Sequence, residues 1–160
     1  MPERLPNVLT TPTHDEMFAA IGSAYLQCMG GPPTKEKVCM IMAQSAFETG
    51  WWKYMHCYNI GNVKSVQGDG RNFTYFRCWE MVPTYSVKTL QAHPKYGHLV
   101  SVEWSDDKGR SKIWLDPDHP GCRFRAYTSL ALGVFDHFTK LLDKYTDEDS
   151  IRDAWSFVVK

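Results

Sequence analysis

The sequence has no surplus of charge of either sign, and this absence argues against a nucleic-acid-binding protein. Its 18 lysines and arginines equal its 18 aspartates and glutamates, and no basic cluster stands out along the chain. Proteins that bind nucleic acid through the phosphates carry a basic patch or stripe. We therefore expect no nucleic-acid partner.

Long apolar runs are also missing. No stretch reaches the roughly 18–20 apolar residues that cross a bilayer, and the first residues, MPERLPNVLTTPTHDEM, lack the basic-then-apolar pattern of a secretory signal. We expect no membrane partner and a soluble chain made in a host cytoplasm. If the target lies outside the membrane, another agent has to deliver the protein, such as a holin or an injecting virion.

Metal-binding motifs are absent as well. The five cysteines form no C-x-x-C pair, and the six histidines form no H-E-x-x-H motif. These spacings are the usual signatures of zinc sites. We expect no metal and no cofactor, and we interpret the cysteines as buried free thiols.

What the chain does have is enough length for one hydrophobic core and many aromatic rings. Its 160 residues predict a single domain, 1–160, which we expect to be monomeric. Six tryptophans, eight tyrosines and eight phenylalanines exceed the usual share of aromatics. Most such rings fill a core, and the others often line sites for ring-shaped ligands.

Two helices are marked by their end signals. Thr13 and Glu16 form a T-x-x-E capping box, and apolar residues follow at helical spacing until the glycines and prolines of 30–33. Thr34 can cap a second helix, for which Gly50 is a natural stop.

Helical periodicity disappears between about Gly68 and Gly121. The segments 72–82, 99–104 and 111–115 have strand composition, with a turn at 107–109, and 83–95 is interpreted as extra loop. Apolar stripes over 134–145 and 151–158 predict further helices. The sequence thus predicts an α+β fold, mainly helical, with a small β-lobe.

Glu48 lies in the last turn of the second predicted helix, within the stretch AFETGWW. The negative end of the helix dipole and apolar neighbours such as Phe47 and Trp51 would both favour its protonated form. A carboxyl group of that kind can donate a proton near neutral pH. Position alone favours a solvated glutamate at a helix end, because most glutamates are exposed to water.

A helical body with a β-lobe suits a cleft for an extended polymer. Cleavage of a glycan needs a proton donor and usually a second carboxylate across the scissile bond. The sequence therefore directs the search for a second acid to the β-lobe.

Four blocks of the sequence resemble, in order, the glucosaminidase family of bacterial and phage peptidoglycan hydrolases. They are AQSAFETGWW (43–52), YNIGNVKS (58–65), FTYFRCWE (73–80) and FRAYTSLALGVFDHFTKLL (124–142). The resemblance implies a lysozyme-like fold, with the β-lobe flanking a substrate cleft. It also implies hydrolysis of the β-1,4 bond at N-acetylglucosamine in peptidoglycan strands, and a phage endolysin is the interpretation that fits the missing signal.

The resemblance also implies roles for individual residues. Glu48 matches the family's general acid, and Glu80 ends a block that resembles its β-lobe motif. Tyr58, Asn59 and Asn62 match a stretch that lines the cleft, and Phe124 and Tyr127 match a block beside it. Trp51, Trp52 and Tyr75 are further candidates, since aromatic rings stack on sugars. The predicted substrate contacts are Trp51, Trp52, Tyr58, Asn59, Asn62, Tyr75 and Tyr127; Phe124 and Trp51 fit core positions as well.

Several alternatives stay open at this point. The second acid can instead be Glu103, Asp106, Asp107, Asp116 or Asp118. Water activated by Glu80 would invert the anomeric centre, and the substrate's own acetamido group can replace a distant carboxylate. The same fold also serves muramidases and lytic transglycosylases. A glycan-binding or virion module without turnover, or a cysteine peptidase using Cys57 with His56 or His98, would be a different class of protein.

Overall fold

A computed structural model describes residues 1–144, with side chains as far as Thr139. The predicted helix over 151–158 lies outside the described residues. Helices and small antiparallel sheets place the chain in the mixed α+β class, as the sequence predicted. The helices are α1 (His14–Met29), α2 (Lys35–Thr49), α3 (Thr84–Gln91) and α4 (Leu130–Lys144). The strands are β1 (Phe73–Tyr75), β2 (Cys78–Pro83), β3 (Val100–Ser105), β4 (Arg110–Leu115) and β5 (Arg123–Arg125).

Two compact units divide the chain. The helical unit consists of Val8–Val63 with the chain from Ala126, and it contains α1, α2 and α4. The sheet unit consists of Met1–Asn7 with Lys64–Arg125, and it contains the five strands and α3. Glu48 belongs to the helical unit and Glu80 to the sheet unit.

The first two helices begin and end where the sequence predicts. In α1, the Thr13 hydroxyl accepts a hydrogen bond from the Glu16 backbone N–H at 3.2 Å, and the Glu16 carboxylate accepts one from the Thr13 N–H at 2.7 Å. This reciprocal capping box satisfies two N–H groups that the helix itself leaves unpaired. Thr34 caps α2, and Gly50 ends it in the left-handed conformation at φ 59°.

Apolar faces of the three helices form the core of the helical unit. Tyr25 of α1 meets Phe138 of α4 edge to face, with ring centroids 6.1 Å apart. Met17 and Ile21 are completely buried, and each contributes about 1.5–3 kcal/mol through removal of apolar surface from water. The sequence assigned Phe135 to the buried stripe of α4, but it is 40% exposed, so the stripe is narrower than predicted.

The sheet unit holds a three-stranded antiparallel sheet in the order β2-β4-β3 and a two-stranded sheet of β1 and β5. The hairpin of β3 and β4 confirms the predicted strand, turn and strand. Asp106 fixes its turn by accepting hydrogen bonds from the backbone N–H groups of Lys108 and Arg110, at 3.1 and 2.7 Å. The strand predicted over 72–82 is interrupted at Phe76 and Arg77, where β1 gives way to β2.

Helix α3 corrects the interpretation of 83–95 as loop. The helix begins directly after Pro83 and packs Val87 against Val100 and Ile113 of the sheet. It has only two turns, so its amphipathic pattern is too short to stand out in the sequence, and packing on the sheet stabilises it. Among the described residues, no helix combines the length and the apolar character needed to cross a membrane.

Candidate active site

The end of α2 sets the position of Glu48 through an unusual turn. Gly50, Trp51 and Trp52 all have left-handed backbone conformations, with φ of 59°, 57° and 62°. This conformation is costly for a tryptophan, by about 1–3 kcal/mol. Thr49 supports the turn: its hydroxyl donates to the Ser45 carbonyl at 2.6 Å and accepts from the Trp52 N–H at 3.1 Å. Backbone strain that is held in place by such contacts is a common feature of functional sites.

The surroundings of Glu48 differ from the sequence prediction. Glu48 is exposed, and the two rings expected to shield it are exposed as well, Phe47 at 87% and Trp51 at 68%. The predicted apolar enclosure of Glu48 is therefore wrong. The carboxylate stands at an accessible helix end, where it can reach a ligand from solvent.

Two amide side chains accompany Glu48. Asn62 donates a hydrogen bond from Nδ2 to the backbone carbonyl of Glu48, and Gln44 lies one turn before Glu48 on the same face of α2. Within the part of the chain that the structure describes, the side-chain oxygens of both Gln44 and Asn62 are buried and accept no hydrogen bond. A buried acceptor without a donor is unfavourable by about 1–3 kcal/mol. A donor group of a ligand reaches these oxygens only if the Gln44 and Asn62 side chains turn outward, because both oxygens are buried in this conformation.

The loop 57–63 brings Asn62 to the helix end. Asn59 holds this loop: its amide donates to the Val63 carbonyl at 2.9 Å and accepts from the Val63 N–H at 2.8 Å. The Ser45 hydroxyl of α2 donates to the Ile60 carbonyl at 2.8 Å and ties the loop to the helix. Asn59 is 1% exposed, so its predicted role as a substrate contact is wrong, and it acts as a support for Asn62.

Trp52 is a second correction. Its side chain is 3% exposed, its indole N–H donates to the Ser45 hydroxyl at 3.1 Å, and its ring meets His14 edge to face at 5.2 Å. A ring enclosed in this way has no free face for a sugar, so the predicted stacking role is wrong. Trp51, whose exposed ring belongs to the third residue after Glu48, stays a candidate contact.

Of the two candidate tyrosines in the helical unit, Tyr58 and Tyr127, only Tyr58 lines a cavity, and Glu48 does not line it. Tyr58 and the segment Thr128–Ala131 help to enclose this cavity, which has a volume of about 730 Å³. Tyr127 donates from its hydroxyl to the buried Asp136 carboxylate at 2.6 Å. The hydroxyl of Tyr127 therefore already has an internal acceptor, whereas Tyr58 borders open space.

In the sheet unit, Glu80 forms an ion pair with Lys64, whose ammonium group also lies 5.4 Å from the ring centroid of Phe124. Both charged side chains are about 40% exposed. Phe124 is 4% exposed and stacks on Phe76, which identifies it as a core residue. Tyr75 is half-buried, and the Arg4 guanidinium lies 4.8 Å from the centre of its ring.

Three further candidate acids of the sheet unit, Glu103, Asp116 and Asp118, are also engaged. Glu103 pairs with Lys112 at 2.9 Å and accepts from the Trp114 indole at 2.6 Å; these hydrogen bonds, the one from Lys112 first, lower its pKa. A carboxyl group with a lowered pKa stays ionised at neutral pH, so what keeps Glu103 from acting on a substrate is its ion pair with Lys112, which would first have to open. Asp116 pairs with Arg77 at 3.0 Å, and Asp118 pairs with Arg4 at 2.9 Å.

An exposed tryptophan face on the three-stranded sheet was missed by the sequence analysis. Trp79 of β2 is paired with Trp114 of β4, and Trp104 of β3 with Lys112 of β4, so these residues share one face. The Lys112 ammonium lies 5.2 and 5.3 Å from the ring centroids of Trp79 and Trp114. Trp79 is 53% exposed and Trp104 41%. The sequence signal for this face was the order Lys112, Ile113, Trp114 in β4. Side chains alternate between the two faces of a strand, so Lys112 and Trp114 share the face opposite to the buried Ile113.

The cysteine-peptidase alternative is not supported at Cys57. This residue is 4% exposed, and burial lowers the pKa of the neighbouring His56. A buried thiol has no access to a polymeric substrate. Among residues 1–144, no group of three or more histidine, cysteine or acidic side chains is placed to hold a metal ion.

No protein-family model, curated protein or solved structure matches the chain. Membership of the glucosaminidase family therefore stays a prediction from the four sequence blocks, and the chemistry of the site has to be argued from its own residues.

Proposed function

We propose that the protein is a peptidoglycan hydrolase of lysozyme-like fold in which Glu48 is the general acid. The observation that carries this proposal is the accessible Glu48 carboxylate at a helix end that is held by the left-handed turn after it, by the Thr49 hydroxyl and by the amide of Asn62. The buried side-chain oxygens of Gln44 and Asn62 accept no hydrogen bond from the described residues, and if these side chains turn outward they can accept from the hydroxyl and acetamido N–H groups of a peptidoglycan strand. The resemblance in sequence supports the same residue as the acid.

In the proposed reaction, Glu48 protonates the glycosidic oxygen while the bond to the anomeric carbon lengthens toward an oxocarbenium-like state. With their side chains turned outward, Gln44 and Asn62 would orient the sugar by accepting its hydrogen bonds, and Trp51 offers an exposed ring for stacking. A catalytic group needs a rigid supporting element to hold it in the productive geometry. Here the hydrogen bonds of Ser45, Thr49 and Asn62 would supply that rigidity.

The second step requires a group that stabilises positive charge or activates water. Glu80 is the proposed second carboxylate, and its ion pair with Lys64 would have to open or rearrange before it accepts a proton from water. The acetamido group of the substrate is the alternative partner for the anomeric carbon. A Glu80→Gln variant distinguishes them, because substrate assistance predicts retained turnover and water activation by Glu80 predicts its loss.

The sugar at the reducing end of each product identifies the glycosidic bond that the protein cuts. Purified peptidoglycan should lose turbidity with the protein, and the released fragments, after reduction and mass analysis, should end in N-acetylglucosamine. Ends in N-acetylmuramic acid would identify a muramidase, and anhydro ends a lytic transglycosylase. As a phage lysin, the protein would reach the wall through a holin or by virion injection.

The tryptophan face favours a second candidate function, a glycan-binding module without turnover. Exposed Trp79 and Trp104 beside Lys112 form a surface of the kind that stacks on sugar rings. If this function is correct, the protein sediments with peptidoglycan without releasing new sugar ends, and Trp79→Ala weakens sedimentation. The exposed Tyr85→Ala, elsewhere in the sheet unit, is the matched control.

A further inference from the structure

Two of the five cysteines lie in contact inside the sheet unit. The sulfur atoms of Cys78, at the start of β2, and Cys122, in the short 3₁₀ turn before β5, are 3.6 Å apart. Both are free thiols, and they are 44 positions apart in the sequence. A disulfide bond has a sulfur–sulfur length of about 2.05 Å, so closing it requires the two sulfurs to approach by roughly 1.5 Å.

The backbone around both thiols is well fixed. Cys78 is paired with Leu115 of β4, and the Cys122 thiol donates to the Leu115 carbonyl at 2.9 Å. The Cys78 thiol also lies 3.5 Å from the carbonyl of Gly121. The start of β2, the end of β4 and the 3₁₀ turn therefore hold the two sulfurs close together. To form the bond, the two cysteine side chains have to rotate toward each other.

The two thiols differ in access and acidity. Cys122 is completely buried, whereas Cys78 is partly exposed and so within reach of a small oxidant. Contact with the Cys122 thiol, followed by the charge of Lys64, lowers the pKa of Cys78, and the same contact and burial raise the pKa of Cys122. Thiolate is the reactive form in thiol–disulfide exchange, so Cys78 is the residue that reacts first.

We propose that Cys78 and Cys122 are a thiol pair that closes into a reversible disulfide when the protein meets an oxidising small-molecule disulfide. The inference is independent of the proposed function. In the first step, the Cys78 thiolate attacks oxidised glutathione, whose sulfur–sulfur bond breaks and releases one glutathione thiolate. In the second, Cys122 attacks the Cys78 sulfur of the mixed disulfide, and the second glutathione leaves with the proton of Cys122. Two protein thiols are oxidised, and one glutathione disulfide is reduced to two glutathiones.

The bond would connect the first residue of β2 to the turn before β5. Glu80 lies two residues beyond Cys78 and on the same face of β2, so the bond fixes the strand that carries the Glu80–Lys64 ion pair. A disulfide across so long a stretch of chain also restrains the unfolded state. The oxidised protein should therefore melt at a higher temperature than the reduced one.

The test uses the full chain, first reduced with dithiothreitol and then incubated with oxidised glutathione. We expect the intact mass to fall by two hydrogen atoms, peptide mapping to join Cys78 to Cys122, and dithiothreitol to reverse both changes. The Cys39→Ser variant, which removes an exposed thiol, should still form the bond. Retention of five alkylatable thiols, or a bond between other cysteines, would overturn the proposal.

A trapping variant tests the order of the two steps. In the Cys122→Ser variant, the mixed disulfide at Cys78 has no second thiol to react with. The reaction should therefore stop there, and the variant should gain the mass of one glutathione at Cys78. Cys122→Ala serves the same purpose if a buried serine hydroxyl prevents folding, which far-UV circular dichroism would reveal. A folded variant with no adduct at Cys78 would contradict the assignment of Cys78 as the attacking thiol.

Discussion

Gly133 gives the sharpest steric prediction in the helical unit. It is buried in α4, and a Cβ atom at this position would lie 2.0 Å from the carbonyl oxygen of Tyr58 and 3.2 Å from a ring carbon of Tyr127. Contacts of Cβ atoms below 3.0 Å essentially do not occur, and a backbone oxygen cannot rotate away. Gly133→Ala must therefore push α4 and the 57–63 loop apart by about 1 Å.

The size of the effect follows from two opposed terms. Overpacking of this kind costs about 1–3 kcal/mol, and alanine regains about 0.5–1 kcal/mol over glycine in a helix. Because the clash is with a backbone oxygen, the overpacking cost lies at about 2–3 kcal/mol, the upper part of that range, and the net loss in the free energy of unfolding is about 1–2.5 kcal/mol. For a chain of this length such a loss lowers Tm by roughly 2–10 °C. Thermal melts followed by circular dichroism, with urea titration, measure it.

Gly22→Ala is the matched control because Gly22 also lies inside a helix, α1, and a Cβ there has no atom within 4 Å. The same substitution should stabilise the protein at this site, by about 0.5–1 kcal/mol. Opposite signs at the two positions are the expected result. A Gly133→Ala variant as stable as the parent would refute the close approach of α4 to Tyr58.

Three further predictions test other parts of the structure. Trp52→Ala should lower the free energy of unfolding by about 3–5 kcal/mol, because it opens a cavity in the core, whereas Trp51→Ala should stay within about 1 kcal/mol of the parent. Equal losses for the two variants in urea titration would contradict the different burial of the two rings. The hydrogen bond from the Arg110 backbone N–H lowers the pKa of Asp106 in the folded protein below its ordinary value of 3.8. The ionised Asp106 therefore stabilises the fold fully above pH 3.8, and this contribution is lost as the pH falls through the lower pKa of the folded state. Asp106→Asn should accordingly flatten the acid limb of a stability–pH curve, and an unchanged limb would argue against this turn contact. Gln44→Met should raise the melting temperature, because it removes a buried acceptor that has no donor, and, if Gln44 accepts a substrate hydrogen bond, it should reduce kcat/KM by up to about tenfold. Unchanged kinetics would remove Gln44 from the site.

The sequence predicted those parts of the fold that are determined locally. The capping box of Thr13 and Glu16, the helix stop at Gly50 and the turn after Asp106 each depend on residues a few positions apart, and all three are confirmed. Short-range hydrogen bonds of this kind are specified by side-chain type and spacing alone. Helix α3 was missed because its stability comes from packing on the sheet.

Burial and backbone strain at the site were beyond the sequence. Trp51 and Trp52 are adjacent identical residues, yet one is exposed and the other lies in the core, because the left-handed turn sends them in different directions. Asn59 and Asn62 belong to one motif, but only tertiary contacts decide that the first supports the loop and the second reaches α2. The Cys78–Cys122 contact joins positions far apart along the chain, for which a single sequence carries no signal.

The most direct test of the account is the activity of Glu48→Gln on purified peptidoglycan, with Glu36→Gln as the matched control in the first turn of the same helix. General acid catalysis predicts that Glu48→Gln lowers the rate of turbidity loss by about 100-fold or more while its melting curve stays that of the parent. Glu36→Gln should retain the parent rate. A folded Glu48→Gln variant that releases sugar ends at the parent rate would contradict the role of Glu48 as the proton donor.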